Sequence, residues 1–242
     1  MNEKKNLTTK ETFDLAVQNH QKNNLQVAGN LYKEILKTNP NHTSAHSNLG
    51  VVFQAFGEHQ KAKSCYEKAI EINPNYAIAH YNLGAVFKQL GELQKAASSC
   101  RKAIQINPNY ISAHNNLGAV FYEIGELQKA KNCYQKTIQI QPNYAGTHYN
   151  LGIVFKELGE HQKAISSYQK AIEIQPNHAV AHNNLGVVFK ELGEDQKAIG
   201  YFQKAIQINP NYASAHNNLG AIFMQLGKLQ KAKSCIQKAI QI

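Results

Sequence analysis

The six prolines of this chain lie at a constant spacing of 34 residues: Pro40, Pro74, Pro108, Pro142, Pro176 and Pro210. Longer words follow the same spacing, since NPNYISAHNNLG at 107–118 returns almost unchanged as NPNYASAHNNLG at 209–220, three periods later. A fixed period of about 20–50 residues is typical of a chain built from stacked structural repeats. The period therefore outweighs the length of 242 residues, which by itself would suggest one or two ordinary globular domains.

The spacing divides the chain into an N-terminal tail, residues 1–8, and seven repeats that each end two residues after a proline. The repeats are 9–42, 43–76, 77–110, 111–144, 145–178, 179–212 and a shortened last one, 213–242. Below, position 1 is the first residue of any repeat. Thr8 and Glu11 have the spacing of a capping box, so the first helix should begin at Thr8 or Thr9.

Each repeat reads as two amphipathic helices joined by a tight turn. In the third repeat, one apolar stripe with the period of a helix consists of Ala79, Leu83, Val86, Phe87 and Leu90. Gly91 then ends the first helix, as glycine does just past a helix C-terminus. A second stripe follows, consisting of Ala96, Cys100, Ala103 and Ile104. Pro108 lies just beyond that stripe and prevents the second helix from continuing.

Small residues at two positions predict close packing between the two helices of a repeat. Position 8 is glycine in every repeat but the first, which has Ala16, and position 20 is alanine in all seven. Glycine inside a helix costs about 1 kcal/mol relative to alanine, so its recurrence implies a compensating contact. One helix pair cannot bury its apolar faces alone, whereas a stack of such pairs forms one continuous core.

This pattern resembles the tetratricopeptide repeat family. In the second repeat, the residues that carry the resemblance are Leu49, Gly50, Phe53, Ala62, Tyr66, Ala69 and Pro74, and the pattern extends over 9–242. The H-x-N-L-G and NPNYA words are most similar to the repeats of O-linked N-acetylglucosamine transferases. The resemblance implies an all-α, right-handed superhelical solenoid of about seven helix pairs, with one flank of each first helix lining a concave groove. One departure is that position 4, where the family often has tryptophan, is histidine here.

These position-4 histidines are His46, His80, His114, His148, His182 and His216. Equivalent residues on stacked helices should lie about 8–10 Å apart, whereas the ligands of one zinc ion lie about 2 Å from it. We therefore interpret the histidines as half-buried packing residues with a polar tip and predict no metal site. Their ordinary pKa also allows a weak pH dependence of stacking.

Asparagine recurs at position 6, on the flank that the resemblance assigns to the groove: Asn48, Asn82, Asn116, Asn150, Asn184 and Asn218. A carboxamide is both a donor and an acceptor, so this asparagine row could bind the backbone of an extended peptide. Positions 5 and 12 lie beside it, and we add from them Tyr81, Asn115, Tyr149, Asn183, Lys88, Lys156 and Lys190. The alternative is that these asparagines are solvated surface residues, or copies preserved by recent duplication.

Charge suggests two interpretations of the outer face. The chain carries 26 Lys and Arg against 16 Asp and Glu, a net charge of +10. Lysine recurs at positions 19 and 26, opposite the apolar stripe of the second helix. These lysines could form a basic ridge for a polyanion, but no aromatic-interleaved pattern accompanies them. A solubilising face is therefore the favoured interpretation, and nucleic acid is a disfavoured partner.

The sequence indicates neither catalysis nor a cofactor. We find no nucleophile–base pair, and the four cysteines, Cys65, Cys100, Cys133 and Cys235, lie too far apart along the repeats to be bridged. We find neither an apolar run long enough to span a membrane nor a secretory signal, so a cytoplasmic location is expected. The function favoured is a non-enzymatic scaffold that binds an extended peptide or an unstructured protein segment. One alternative is the substrate-presenting arm of a larger glycosyltransferase-like enzyme, and another is polyanion binding.

The last repeat ends with the apolar pattern of an interior repeat, including Ile236, Ala239 and Ile240. Solenoids normally end in a helix with a polar outer face. We therefore expect either that the chain is cut from a longer protein or that its C-terminal end associates with another copy, with local fraying as a third alternative.

Overall fold

The structure, a computed structural model, describes residues 7–242, so most of the predicted tail, 1–8, lies outside the described residues. The described part contains fourteen helices and no strand. In chain order they are α1 (Thr9–Gln21), α2 (Leu25–Thr38), α3 (Thr43–Ala55), α4 (His59–Ile72), α5 (Ala77–Gln89), α6 (Leu93–Ile106), α7 (Ile111–Ile124), α8 (Leu127–Ile140), α9 (Ala145–Glu157), α10 (His161–Ile174), α11 (Ala179–Glu191), α12 (Asp195–Ile208), α13 (Ala213–Gln225) and α14 (Leu229–Gln241). The predicted all-α fold of seven helix pairs is confirmed.

The turn inside each repeat depends on one residue in a left-handed conformation. Position 15 is glycine in repeats two to seven, and all six of these glycines have φ between 70° and 87°. In the first repeat the same position is Asn23, with φ of 60°, and asparagine is one of the few other residues that adopt this conformation readily. The predicted capping box is also present, since the Glu11 amide donates to Thr8 Oγ1 and the Thr8 amide to the Glu11 carboxylate.

The small residues allow the two helices of a repeat to meet. A Cβ added to Gly152 would lie 2.7 Å from the Tyr168 ring, and one added to Gly186 would lie 2.7 Å from the Phe202 ring. Both aromatic rings are fully buried. The alanines at position 20 are buried as well, with Ala232 in the last repeat the most exposed at 3%. The compensating contact that the recurrent glycine implied is therefore the side chain at position 24, which is an aromatic ring at Tyr66, Tyr168 and Phe202 but Cys100 opposite Gly84 and Ile236 opposite Gly220.

The chain forms two compact units, one ending at Ile124 and the other comprising Gly125–Ile242. Within the first unit, α3 contacts α5 and α5 contacts α7; within the second, α9 contacts α11 and α11 contacts α13. Within each unit, a second helix that is followed by another repeat packs between two first helices, as α4 does between α3 and α5 and α10 does between α9 and α11. In each unit the first helices therefore form one continuous side. None of the described helices has the length and apolar character needed to cross a bilayer.

Candidate peptide-binding surface

The asparagine row lies at the surface of the first helices without being fully exposed. All six asparagines at position 6 are half-buried, as are the small aliphatic residues at position 9, such as Val51 and Ala85. Position 13, one turn further along the same flank, is exposed in every repeat, as at Gln89 and Glu157. Along each first helix the flank therefore passes from a half-buried floor to an exposed edge. This gradient is what a shallow binding surface requires.

Four of these asparagines also contact the preceding repeat through their amide nitrogens. Asn48 Nδ2 donates to Tyr32 Oη over 3.3 Å, and Asn116 Nδ2 lies 3.6 Å from Cys100 Sγ. The other two contacts are Asn184 to Tyr149 Oη, 3.2 Å, and Asn218 to Asn183 Oδ1, 3.0 Å. These bonds connect neighbouring repeats, a role that the sequence pattern of this row did not predict. The Oδ1 atoms of Asn48, Asn116 and Asn218 accept no hydrogen bond from residues 7–242.

The position-5 residues that were predicted to line the surface differ in burial and in the residues that they contact. Tyr81 lies in ring contact with Tyr110, with centroids 5.1 Å apart, and Tyr149 stacks on His178 at 5.0 Å. Burial, together with the nearby Tyr81 and Tyr76 hydroxyls, raises the pKa of Tyr110 to about 12. Asn115 is half-buried. Asn183 is only 5% exposed, and its Nδ2 donates to Asn184 Oδ1.

At the edge of the surface, side chains at position 12 of one repeat contact side chains at position 13 of the next. Lys88 pairs with Glu123 of the next repeat at 2.8 Å, and Lys156 lies 3.6 Å from Glu191. Gln54 donates to Gln89 in the same relation, at 3.0 Å. Two of the three lysines predicted as peptide contacts are therefore already ion-paired between repeats. The third, Lys190, is half-buried and faces no carboxylate within ion-pairing distance in the described part of the chain.

The position-4 histidines hold the loops between repeats. Each has its Nε2 within 2.7–3.0 Å of the carbonyl oxygen of the proline six residues earlier. Five of the six are less than a tenth exposed. The histidines are therefore packing residues with a polar tip, as predicted, but five of them are buried rather than half-buried, and the tip has a specific partner. Within residues 7–242, no three metal-ligating side chains lie close enough together to hold an ion.

The outer lysines are largely engaged with their own repeats. At position 19, Lys61, Lys95 and Lys197 each pair with the glutamate three residues earlier. The same ammonium groups lie over the phenylalanine at position 11, for example Lys197 at 5.1 Å from the centroid of Phe189. Such exposed pairs contribute little stability, but they reduce the uncompensated positive charge of this face.

The cysteines are packing residues in the described structure. Cys100 is buried and the other three are half-buried. Burial raises the pKa of the Cys65 thiol to about 11, although the nearby Lys33 acts in the opposite direction. Burial also raises the pKa of Cys235. A thiol with a raised pKa is largely protonated at neutral pH and is therefore a poor nucleophile.

Sequence reasoning missed the contacts between repeats, because each joins residues of two copies of the pattern. A contact within the repeats did leave a signal in the sequence: repeats one, three and five carry an aromatic residue at position 5, namely Phe13, Tyr81 and Tyr149. Each is in ring contact with position 34 of its own repeat, as Phe13 is with His42 at 4.8 Å. The aromatic residue in every second repeat was therefore visible in the sequence, but the residue that it contacts was not.

Models of one protein family match most of the chain. Models described as tetratricopeptide repeat match residues 77–110, 110–177, 143–211 and 213–242, and a model described as TPR repeat matches 55–91. No curated protein matches the sequence.

Several solved structures share the fold. MamA is 29% identical with a TM-score of 0.64, and the match covers 68% of this chain and 96% of that protein. YrrB, described as a TPR protein with an unusual peptide-binding site, is 23% identical with a TM-score of 0.65, over 76% of this chain and 95% of its own. PilF of Pseudomonas aeruginosa is 20% identical with a TM-score of 0.76, over 86% and 94%. At these identities YrrB and PilF establish likeness of fold.

Proposed function

Because the chain belongs to the tetratricopeptide repeat family, we propose that it is a protein-interaction scaffold that binds an extended peptide or an unstructured protein segment. The ligand would lie along the first helices within a compact unit, over positions 6 and 9. The half-buried floor and exposed edge of this flank support the proposal. The fold also supports it, since YrrB, a structure of the same fold, is described as having a peptide-binding site.

The observation that carries the proposal is that, in three of the six asparagines, the two ends of the carboxamide have different roles. In Asn48, Asn116 and Asn218 the amide nitrogen is bonded to the preceding repeat, while the oxygen accepts no bond within the described chain. Such an oxygen is held in place and can accept a hydrogen bond from a ligand N–H. Fixing the carboxamide in advance lowers the conformational entropy lost on binding. The row would therefore recognise backbone N–H groups spaced along an extended chain.

A triple substitution tests this proposal. We expect Asn116→Ala, Asn150→Ala and Asn184→Ala together to lower affinity at least about tenfold, about 1.4 kcal/mol, for peptides selected from a library on the unmodified chain. Affinity is measured by calorimetry and the fold by circular dichroism. The loss of the inter-repeat bonds of Asn116 and Asn184 costs about 1 kcal/mol each, which the better helix propensity of alanine partly offsets.

The matched control changes three exposed carboxamides on second helices, Gln94→Ala, Gln128→Ala and Gln162→Ala. This control should bind as the unmodified chain does. Unchanged affinity in the asparagine triple variant, with helicity retained, would show that the row serves only to join repeats.

A finer proposal concerns the context of the scaffold. The likeness of the H-x-N-L-G words to the repeats of O-linked N-acetylglucosamine transferases would make this chain a substrate-presenting arm of a larger enzyme. The sequence of the complete gene tests that idea, because it requires a catalytic domain on the same polypeptide.

A further inference from the structure

A surface cavity of about 530 Å³ opens between α8, α9 and α10, within the second compact unit. Its apolar lining comes from Ile138, Leu151 and Phe155, and polar groups border it, among them His148 and Ser167. The residues from α9 occupy positions 4, 7 and 11, whereas the asparagine row occupies position 6 and its flank. The cavity is therefore distinct from the proposed peptide surface. Its volume is in the range of about 300–1,000 Å³ that is typical of small-ligand pockets, but it is a shallow groove that is largely open to solvent.

The next repeat shows what fills the equivalent space. Position 23 is Ser167 in the fifth repeat but Tyr201 in the sixth. The Tyr201 ring lies parallel to that of Phe189, with an interplanar angle of 7° and centroids 5.4 Å apart. It also lies 6.1 Å from the ring of His182. Phe189 and His182 are the counterparts of Phe155 and His148, which line the cavity of the fifth repeat.

Burial of the leucine at position 7 supports this correspondence. Leu185, in the repeat that carries Tyr201, is 0% exposed, whereas Leu151 is 5% exposed. In the other repeats with this leucine buried, Leu49, Leu83, Leu117 and Leu219 are 5–7% exposed. The tyrosine in the sixth repeat therefore accompanies complete burial of a leucine that is 5–7% exposed in repeats two to five and seven.

A second difference between repeats is the residue at position 25 that borders this space. Position 25 of the third repeat is Arg101, whose guanidinium lies 5.2 Å from the centroid of Phe121 in the following first helix. The corresponding residue before the fifth repeat is Gln135, which lines the cavity. A shorter, neutral side chain thus stands at this position beside the cavity, and the cations over the Phe155 ring are Lys131 and Lys163, at 5.9 and 5.6 Å from its centroid.

We infer that this cavity is a binding site for a phenolic ring, which would occupy the place that Tyr201 occupies in the next repeat. The ring would lie beside Phe155 and against Leu151. Offset parallel aromatic pairs contribute about 0.5–1.5 kcal/mol beyond the area they bury. The hydroxyls of Ser166 and Ser167 and the amide of Gln135 border the cavity and can hydrogen-bond a phenol hydroxyl. The ring could belong to a free phenol or to a tyrosine of a partner protein.

Nuclear magnetic resonance on the full chain tests the inference, with p-cresol and N-acetyl-L-tyrosinamide as probes at up to about 10 mM, because ligands this small bind weakly. We expect saturable shifts of the Leu151 methyl and Phe155 ring signals, and much smaller ones with N-acetyl-L-leucinamide. Tighter binding of p-cresol would indicate a free phenol, and tighter binding of the tyrosinamide a tyrosine side chain.

Two substitutions exchange the position-23 residues of the fifth and sixth repeats. Ser167→Tyr should fill the cavity from within and weaken probe binding at Leu151 at least tenfold. Tyr201→Ser should open a second site and produce saturable shifts at Leu185 and Phe189. Ser99→Tyr, at the same repeat position in the third repeat, is the matched control and should leave the Leu151 response unchanged.

The inference is overturned if folded, unmodified chain shows no saturable response, or if Ser167→Tyr binds as well as the unmodified chain. Should Ser167→Tyr fail to fold, Tyr201→Ser still decides the matter, because absence of a new response at Leu185 would contradict the inference. The asparagine triple variant should bind the phenolic probes normally, so failure of this site and failure of the peptide surface are separable.

Discussion

At position 8 of the sixth repeat, the two helices lie too close together for any side chain larger than that of glycine. At Gly186 an added methyl group would lie 2.7 Å from the Phe202 ring, a distance that side chains do not tolerate without movement. Gly200, on the next helix, has nothing within 4 Å of the same added atom. Both glycines are helical and belong to the same repeat, but only one of them is crowded. Comparing substitutions at the two positions therefore separates the steric effect of an added methyl group from its effect on helix propensity.

We predict that Gly186→Ala destabilises the chain by about 1–3 kcal/mol, as overpacking of a core does. Gly200→Ala should stabilise it by up to about 1 kcal/mol, because alanine is the better helix former. Urea unfolding followed by circular dichroism measures both. Equal effects of the two substitutions would mean that the helices separate freely and that the close contact has no energetic weight.

A second residue-scale prediction concerns His182. Burial lowers its pKa below the usual 6.5, its bond to the Pro176 carbonyl acts in the opposite direction, and nearby Lys204 lowers it further. A lowered native pKa means that the unfolded chain binds the proton first. Stability should therefore be fully present above about pH 6.5 and should fall as the pH drops below it.

This prediction is checked by urea unfolding at pH 7.5 and pH 5.5, compared between the unmodified chain and His182→Gln. The variant should lose part of the pH dependence. Burial likewise lowers the pKa of His20 and of His178, so a residual dependence is expected. A stability that rises between pH 7.5 and 5.5 would contradict the assignment.

At the scale of the helix pair, the turn is specified by a backbone conformation rather than by a cap. The second helices α4, α6, α8, α10, α12 and α14 begin without a side-chain hydrogen bond at the N-cap. Gly193 has φ of 74°, and Asn23 has 60° at the equivalent place in the first repeat. We therefore predict that Gly193→Asn is milder than Gly193→Val by about 1 kcal/mol.

Thermal unfolding of the two variants measures that difference. No atom lies within 4 Å of a Cβ added at Gly193, so a steric cause is absent and the comparison reports the backbone alone. Equal melting temperatures would show that the turn relaxes to another conformation at no cost.

At the scale of the whole molecule, stability should be uneven along the stack. Helix α14 buries only Ala232, whereas α10 buries five residues, among them Ile165 and Tyr168. Ile240 is 78% exposed, although its counterparts in the interior repeats are half-buried. We predict that amides of α14 exchange with solvent at least about tenfold faster than those of α10, because local opening there exposes little new apolar surface.

Hydrogen exchange at two protein concentrations tests this prediction and the expected self-association together. Low protection of α14 that is independent of concentration indicates a frayed end. Protection that rises with concentration indicates that a second copy covers the helix. Protection of α14 equal to that of α10 in dilute solution would contradict the prediction.

The helices, their turns and the first helix cap could be predicted from the sequence, because each depends on residues close together along the chain. The proline period, the apolar stripes and Gly91 indicated helix pairs and their turns, because helix start, periodicity and termination depend on residues within a few positions of one another. The capping box at Thr8 was predictable for the same reason. The recurrence of Gly152 and its counterparts implied a close contact, although not which ring would supply it.

Only the tertiary structure decided which side chains of different helices meet. Asn116 reaches Cys100, Lys88 reaches Glu123 and Tyr201 covers the space beside Phe189. The partners in these contacts are separated by between 12 and 35 residues, and their distances depend on how stacked helices lie against one another. A repeat pattern states that such neighbours exist, but the packing of side chains alone determines which atoms meet and which cavity stays open.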